Sequence, residues 1–346
     1  MLKRFKLPEN FRESDAVRDE IKQSCAANSD IAEYRVAGKS ESGRPVDAVI
    51  LGNGAKTVSL IAGSHSDEPV GPETLRMFIC EILRHREPFA DILADFRFVI
   101  FPHINPDGEA KNQSWIRKWP DVSEFIHHVF REQPGQDIEF GYPEMRSENR
   151  LATEIWREFG PFDLHISLHG MAFSEGAMLL IDRNWIERTE RIQQKFVLLA
   201  NELGLRRHDH DRGGEKGFDY IAPGFTTTPE GRAMQAYFLS QNDPQTAEKF
   251  HLSSMEFIRS LGGDPLCLVT ELPLFIVENP SLKYTGTPER YLAFKEKLPA
   301  LRLKLANGES IAKEIKEFGL KPLDFQNAVR FQLKMIQWGL DTVRVS

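Results

Sequence analysis

The chain has 346 residues, of which 41% are hydrophobic and 27% charged, a balance typical of globular proteins that excludes disordered and collagen-like chains. Its 44 Lys and Arg residues against 51 Asp and Glu leave a formal net charge of −7, which argues against a surface built to bind nucleic acid. No apolar run approaches the roughly 18 residues of a membrane-spanning helix, so no membrane partner is expected. The first 26 residues mix basic and acidic side chains without an apolar stretch, which predicts a cytoplasmic protein without a secretory signal.

Short strands and helices alternate from residue 45 onwards. The pattern predicts strands at residues 47–51 and 57–62, a helix that opens at residues 71–73 with a proline in its first turn, and a third, buried strand at residues 98–101. Further along the chain it predicts a helix at residues 148–159 and strands at residues 162–168 and 177–181. A long amphipathic helix at residues 185–203 and a last buried strand at residues 266–270 follow. This interleaving favours an α/β fold with a mixed, mainly parallel sheet covered by helices on both faces.

Two segments interrupt the alternation. Residues 120–143 and 209–229 are rich in Gly, Pro and charge, and predict long surface loops of the kind that carry binding function. After residue 280 the pattern is helical, and no linker separates it, so residues 281–346 are expected to pack as a helical segment on a single domain spanning residues 1–346. Three widely spaced cysteines, Cys25, Cys80 and Cys267, are predicted to be reduced thiols.

The first candidate for chemistry is His65-x-x-Glu68, directly after the predicted strand 57–62. An imidazole nitrogen and a carboxylate oxygen three residues apart on one loop can turn toward one point, and both suit zinc. Such a pair also arises by chance, and a solvated polar loop explains it equally well. The pair therefore indicates a metal site only in combination with other ligands.

The second candidate is His169, at the end of the predicted strand 162–168. Ligands of α/β sheets bind where the carboxyl ends of the strands meet, which favours His169 as a metal ligand. His165 is a rival, since residues four apart on a strand point to the same face. A core histidine bonded to the backbone is the alternative interpretation.

The third candidate is Glu271, which closes the buried strand 266–270. A carboxylate at such a place is costly to bury unless it is paired or used. A general base is one explanation, and a buried ion pair or a strand-end cap is the other. Pro273 is expected to stop the strand just beyond it.

Taken in order, these motifs and the turn Asn105-Pro106-Asp107-Gly108 resemble the zinc carboxypeptidase family from about residue 40 to residue 290. The resemblance implies one zinc ion held by His65, Glu68 and His169, with Glu271 as the catalytic base. It also implies a single phosphorylase/hydrolase-like α/β domain with a mixed sheet of about eight strands. By the same resemblance Arg117, which follows Trp115 downstream of the turn, would stabilise the oxyanion.

The segment 135–143 departs from the family pattern. Glu139 and Phe140 stand where the family has the Asn-Arg pair that holds the terminal carboxylate of the substrate. A carboxylate at this position would repel another carboxylate, so Glu139 is expected to face a cationic or amide-bearing part of the substrate. Arg146 or Arg150 is the remaining candidate for the missing cation.

The predicted function is zinc-dependent hydrolysis of an amide bond in a peptide or peptide-like substrate. One alternative is a deacylase similar to succinylglutamate desuccinylase and aspartoacylase, acting on an N-acyl amino acid; there the ligand would be His165, which follows Asp163-Leu164. Another is a metal-binding module without catalysis, against which Glu271 argues. The cluster of residues 208–211 (HDHD) is either a second metal site or a solvated loop.

Overall fold

The β-rich segments assemble into one mixed sheet in the computed structural model, which describes residues 5–281 and 283–345. Its strands are β1 (Ala32–Lys39), β2 (Pro45–Leu51), β3 (Lys56–Ala62), β4 (Phe96–Phe101), β5 (Leu164–Ser174), β6 (Gly176–Ile181), β7 (Arg206–Arg207), β8 (Tyr220–Ala222), β9 (Phe225–Thr227), β10 (Leu266–Ile276) and β11 (Lys321–Pro322). The helices are α1 (Ser14–Ala27), α2 (Val70–Arg84), α3 (Ala90–Asp95), α4 (Pro106–Ile116), α5 (Val122–His128), α6 (Ser147–Phe159), α7 (Glu190–Glu202), α8 (Gly231–Ser240), α9 (Pro244–Ala247), α10 (Ser254–Ser260), α11 (Glu289–Ala306), α12 (Ala312–Glu317) and α13 (Phe325–Arg344). Short 3-10 turns occupy Glu87–Phe89, Arg183–Trp185, Glu187–Thr189 and Glu215–Gly217.

The strand order is β1-β2-β4-β3-β5-β10-β6-β9-β8, with β7 beside β6 and β11 beside β10. The central strands β4, β3, β5 and β10 run parallel, while β1, β2 and β6 add antiparallel neighbours. The predicted α/β domain with a mixed, mainly parallel core is confirmed. The described sheet has eleven strands rather than about eight, because four of them are only two or three residues long and too short to show a period of two.

Alternating residues of the strands feed two hydrophobic cores. Leu60 packs with α2 and α13 on one face of the sheet, whereas its neighbour Ile61 packs with α6 and α10 on the other. The C-terminal helix α13 reaches the centre of the sheet, since Gln332 Nε2 donates to the carbonyl of His169 at 3.2 Å. Helices thus cover both faces of the sheet, and the carboxyl ends of the central strands remain open to form a site.

Three local expectations need correction. The segment 120–143 contains the helix α5, and β11 interrupts the helical pattern after residue 280. Pro273 does not end β10, which continues to Ile276. Because β6 pairs with β10 only as far as Glu271, the missing N–H of Pro273 falls where the ladder on that side has already ended.

The cysteines agree with the prediction made from the sequence. Cys25, Cys80 and Cys267 are all buried free thiols, as predicted. Within residues 5–281 and 283–345, no helix combines the length and apolar character needed to cross a bilayer.

Candidate metal centre

Three neighbouring parallel strands bring the predicted site residues to one edge of the sheet. His65 follows β3, His169 lies in β5, and Glu271 lies in β10 in direct register with His169. The loop after β3 turns at Gly63, whose φ of 78° is in the left-handed region. A Cβ atom there would lie 2.5 Å from Nδ1 of His103, so only glycine fits. The turn carries His65 and Glu68 back over the strand ends.

His65, Glu68 and His169 form a compact group with their ligand atoms facing one another. Nδ1 of His65 lies 3.0 Å from Oε1 of Glu68 and 3.1 Å from Nδ1 of His169, whose distance to Oε2 of Glu68 is 2.9 Å. Tetrahedral zinc with bonds of 2.0–2.2 Å holds its ligand atoms about 3.3 Å apart, close to these spacings. Two imidazoles and a carboxylate are also the donors that zinc prefers. The group therefore fits one zinc ion with a coordination position to spare.

The charged groups of this site act strongly on one another. Burial alone would raise the pKa of Glu68, but the adjacent His65, His169 and Arg131 outweigh it and hold that pKa well below its usual range. Burial would lower the pKa of His169, yet the carboxylates of Glu68 and Glu139 raise it well above its ordinary value. The site thus keeps Glu68 as an anion, which a metal ligand must be.

The outer nitrogen of His169 is held by Glu139. Nε2 of His169 lies 3.1 Å from Oε2 of Glu139, and the hydroxyl of Ser254 donates to Oε1 of the same carboxylate at 3.1 Å. The His169 and Glu139 side chains are almost completely buried. With the Nε2–H bonded to a carboxylate, the tautomer that leaves the Nδ1 lone pair free to bind a metal is favoured.

His165 belongs to the core rather than to the ligand group. Its Nδ1 lies 2.9 Å from Oγ of Ser59 and its Nε2 3.2 Å from Oγ of Ser254. Burial lowers its pKa to about 4, so the ring is neutral. Of the two rivals on β5, only His169 faces His65 and Glu68.

Glu271 lines the same cavity, of about 520 Å³, as the His-Glu-His group. Its Oε2 is buried and has no hydrogen-bond partner in the described part of the chain. Burial and the nearby Glu68 raise the pKa of Glu271 to about 8, although His169 and His65 lower it. A carboxyl group with an unused oxygen and a raised pKa beside a metal group is suited to proton transfer.

The structure does not bring Arg117 to this cavity. Arg117 follows α4 at the surface, where its guanidinium makes a two-point ion pair with Glu13 at 2.8 and 3.1 Å. Its side chain is 62% exposed, so the expectation that it stabilises an oxyanion needs correction. Arg117 directly follows the last residue of α4 and is not among the residues that line the cavity.

Arg131, which the sequence pattern did not single out, occupies the cavity instead. Its NH1 donates to Glu68 Oε1 and to Asp67 Oδ1, both at 3.0 Å. The side chain of Asn112 makes two hydrogen bonds to the backbone of Phe130, the residue before Arg131. Its Nδ2 donates to the Phe130 carbonyl and its Oδ1 accepts from the Phe130 N–H, each at 2.9 Å. Arg131 is therefore fixed by side chains of the helix that the Asn-Pro-Asp-Gly turn begins.

That turn caps α4 and anchors the same segment. Oδ1 of Asn105 accepts from the N–H of Gly108 at 2.9 Å, and its Nδ2 donates to Glu132 at 2.6 Å. Asp107 accepts from Ser40 Oγ at 2.8 Å and from Arg44 at 3.0 Å. The turn identified in the sequence thus caps a helix and holds the loop that carries Arg131. Arg131 lies close to this turn in space but not in the sequence, so no sequence spacing pointed to it.

The expected role of Glu139 also needs correction. Both of its carboxylate oxygens are engaged, one by His169 and one by Ser254, so it is not a free partner for a substrate cation. Arg146 is paired with Glu148 at 3.0 Å, and Arg150 with Glu154 at 3.2 Å. Neither arginine is among the residues that line the cavity.

The rest of the cavity has an apolar wall and a basic edge. Its wall includes Met178, Leu180, Phe250, Met255 and Val269. The edge carries three cations, Arg212, Lys216 and Lys295. Low-dielectric walls strengthen charge interactions inside such a cleft.

Only part of the 208–211 cluster is solvated, because His208 and Asp209 are buried whereas Asp211 is exposed. Neither ring nitrogen of His208 has a partner among the described residues. Both oxygens of Asp209 are used, by the hydroxyl of Tyr220 and the N–H of Gly286, each at 2.7 Å. In the part of the chain that the structure describes, His65, Glu68 and His169 are the only group of three or more potential ligand residues close enough to hold one ion.

Comparison with known proteins supports the same family. A sequence model of the zinc carboxypeptidases matches residues 17–172, a little under half of the chain, which includes His65, Glu68 and His169 but not Glu271. Carboxypeptidase B of Astacus astacus is 25% identical over 139 residues, covering 38% of this chain and 46% of that protein. The matched segment therefore spans less than half of the length of this relative.

The fold is similar to solved carboxypeptidase structures. Carboxypeptidase A from Helicoverpa armigera superposes with a TM-score of 0.52 at 12% identity, covering 98% of this chain and 75% of that one. A candidate carboxypeptidase from Burkholderia mallei gives a TM-score of 0.52 at 15% identity, covering 97% of this chain and 69% of the other. These superpositions show that the fold is shared with carboxypeptidases, and the family-model match over residues 17–172 confirms the resemblance to the zinc carboxypeptidases that the motifs predicted.

Proposed function

We propose that this chain is a zinc-dependent hydrolase that cleaves an amide bond of a peptide or peptide-like substrate. The observation that carries the proposal is the convergence of His65 Nδ1, a Glu68 oxygen and His169 Nδ1 in the cavity where Glu271 keeps an unpartnered buried oxygen. When bound at such a group, zinc polarises a carbonyl group and makes water a stronger acid. The family match supports the metallopeptidase assignment.

Glu271 is the proposed general base. Its free Oε2 accepts a proton from water as the water oxygen attacks the amide carbon. The same carboxyl group returns a proton to the nitrogen as the C–N bond breaks, so that one acid and one amine leave the site. Burial favours this role, because it keeps bulk water from competing for Oε2.

Arg131 is the proposed partner for the charge that develops on the carbonyl oxygen. It lines the cavity and carries its positive charge within 3.0 Å of Glu68, beside the proposed metal. A fixed cation aimed at this region stabilises an oxyanion without reorganising during the reaction. Arg117, at the surface, has no such position.

The deacylase alternative is less well supported. It assigns the second histidine ligand to His165, which the core hydroxyls of Ser59 and Ser254 hold in place. Glu271 argues against a module without catalysis, because a buried carboxyl oxygen without a hydrogen-bond partner costs stability.

The proposal is tested by assaying the zinc-loaded protein against free-carboxyl peptides, blocked peptides and N-acyl amino acids. Wild type is expected to release an amine from a peptide, and Glu271→Gln to bind zinc equally well while losing at least about 100-fold in kcat. Glu278→Gln, a matched change at a side chain that is 60% exposed, is expected to retain activity. Cleavage of N-acyl amino acids alone would favour the deacylase, and an unaffected Glu271→Gln would refute the proposed base.

A further inference from the structure

The loop that carries two of the proposed metal ligands is tied to the segment that carries Arg131. We call residues 63–68 the metal loop and residues 130–132 the arginine segment. Arg131 and Asp67 are 64 positions apart in the chain, yet NH1 of Arg131 donates to both Asp67 and Glu68 at 3.0 Å. The arrangement of the metal ligands therefore depends on what fixes these two stretches against each other.

Ser66 is the residue by which the metal loop is held. Its hydroxyl oxygen lies 2.9 Å from Oε2 of Glu132 and 3.2 Å from the carbonyl oxygen of Phe130, the residues on either side of Arg131. The Ser66 carbonyl accepts from Nδ2 of Asn112 at 2.9 Å. Ser66 is only 2% exposed, so these hydrogen bonds are shielded from competing water.

Glu132 links the metal loop to a second anchor. While Oε2 of Glu132 faces Ser66, its Oε1 accepts from Nδ2 of Asn105 at 2.6 Å, in the turn that caps α4. The Glu132 side chain is 9% exposed, and NH1 of Arg146 lies 3.8 Å from Oε1. Hydrogen bonds to a carboxylate are among the stronger ones in proteins. Both oxygens of Glu132 thus join one loop to another.

The first turn of α4 confines Ser66 from another side. Gly108 packs so closely on Ser66 that a Cβ atom on this glycine would lie 2.2 Å from Cβ of Ser66. Close packing on this side and hydrogen bonds to Glu132 leave Ser66 little room to move. These contacts join protein atoms alone, so they act on the metal loop whether or not a metal ion is bound.

We propose that Glu132 is a positioning residue that holds the metal loop, through Ser66, in the conformation in which His65 and Glu68 bind zinc. This proposal rests on the proposed function for the zinc ion itself. Glu132 is not a member of the ligand group found among the described residues, so it acts on the metal only through the loop. A loop that is already ordered loses less conformational entropy when an ion binds, and this raises the affinity for the ion.

The test measures zinc dissociation constants by competition with a chromophoric chelator. Glu132→Ala removes both hydrogen bonds and is expected to weaken zinc binding about tenfold. Glu132→Gln is expected to restore most of this affinity. Its amide oxygen still accepts from Asn105, and its NH2 group donates to Ser66, whose hydroxyl then donates to Phe130. Gln133→Ala, at an exposed neighbouring position, is the control and is expected to stay within about twofold of wild type.

Ser66→Ala tests the same contact from the other side. It is a milder change, so it gives an answer even if Glu132→Ala does not fold. Ser66→Ala is expected to weaken zinc binding too, and the double variant is expected to bind zinc about as weakly as Glu132→Ala alone, because both changes remove one shared contact.

Hydrogen exchange of the metal-free proteins adds a measurement that does not need the ion. Amides of the metal loop are expected to exchange about tenfold faster in Glu132→Ala than in wild type, while those of β4 keep their rates.

Zinc affinities within about twofold of wild type in both single variants, losses that add in the double variant, or unchanged exchange of the metal loop would overturn the proposal. Such results with zinc-binding, active wild type would refute only the positioning role of Glu132. Failure of wild type to bind zinc would refute the proposed function and this role together.

Discussion

Oε2 of Glu139 lies 3.1 Å from Nε2 of His169, on the side of the imidazole opposite the nitrogen that faces His65 and Glu68. The contact extends into the core, because the hydroxyl of Ser254 bonds Glu139 and also lies 3.2 Å from Nε2 of His165. The residue that departs most clearly from the family pattern thus orients a proposed metal ligand. His165, the rival ligand in the sequence analysis, is thus part of the same hydrogen-bond network through Ser254.

We expect Glu139 to strengthen metal binding without touching the metal. Replacing a carboxylate that orients a histidine ligand weakens metal affinity about 10- to 100-fold, so Glu139→Ala is expected to fall in this range and Glu139→Gln to lose less. Competition with a chromophoric chelator measures the zinc dissociation constant, and thermal unfolding of the metal-free variants checks the fold. Glu154→Ala, a change at an exposed carboxylate, is the control. Unchanged affinity in Glu139→Ala would show that this contact does not position His169.

Substitutions of Arg131 and Arg117 are expected to have different effects on kcat. Arg131→Gln removes the cation that lines the cavity and is expected to lower kcat about tenfold or more. Arg117→Gln breaks only an exposed ion pair with Glu13, and kcat is expected to stay within about twofold of wild type. Steady-state kinetics on one peptide substrate compares them. A larger loss in Arg117→Gln than in Arg131→Gln would restore the assignment suggested by the sequence.

His208 is expected to make the protein sensitive to acid. Burial, aided by His210 and Arg212, lowers its pKa from 6.5 to about 3, so the folded state binds fewer protons than the unfolded chain between these values. The free energy of unfolding therefore falls as the pH drops below about 6.5, by about 2 kcal/mol from this residue between pH 7 and pH 5.

His208→Phe tests this expectation, because neither ring nitrogen has a partner to lose in the described structure. Urea unfolding at pH 7 and pH 5 is expected to show a loss of stability about 2 kcal/mol smaller than in wild type. His251→Phe, at an exposed position, is the control and should leave the pH dependence as it is. The same pH dependence in His208→Phe and wild type would mean that His208 is not the titrating group.

The sequence predicted the parts of the fold that have a strong local signal. The buried strands around residues 57–62 and 98–101 correspond to β3 and β4, and the amphipathic run 185–203 contains α7. The short edge strands were not predicted, because two or three residues show no periodicity. The prediction that Pro273 ends its strand was wrong, because the effect of a proline depends on which neighbouring strand is still paired at that point.

The candidate site divides in the same way. His65, Glu68, His169 and Glu271 stand at strand ends, where topology alone predicts convergence, and the structure places all four around one cavity. Arg131 reaches it through a loop held by Asn105 and Asn112, and no spacing in the sequence encodes that path. Side chains on loops were assigned wrongly because tertiary hydrogen bonds decide their direction.

The central claim is that His65, Glu68 and His169 hold a metal ion. Metal content after dialysis against trace zinc, measured by mass spectrometry for wild type, His169→Ala and His165→Ala, tests it most directly. We predict about one zinc per chain in wild type and in His165→Ala, which should lose stability only, and less than about a tenth of that in His169→Ala. Loss of zinc in His165→Ala with retention in His169→Ala, or no zinc in wild type, would contradict the account.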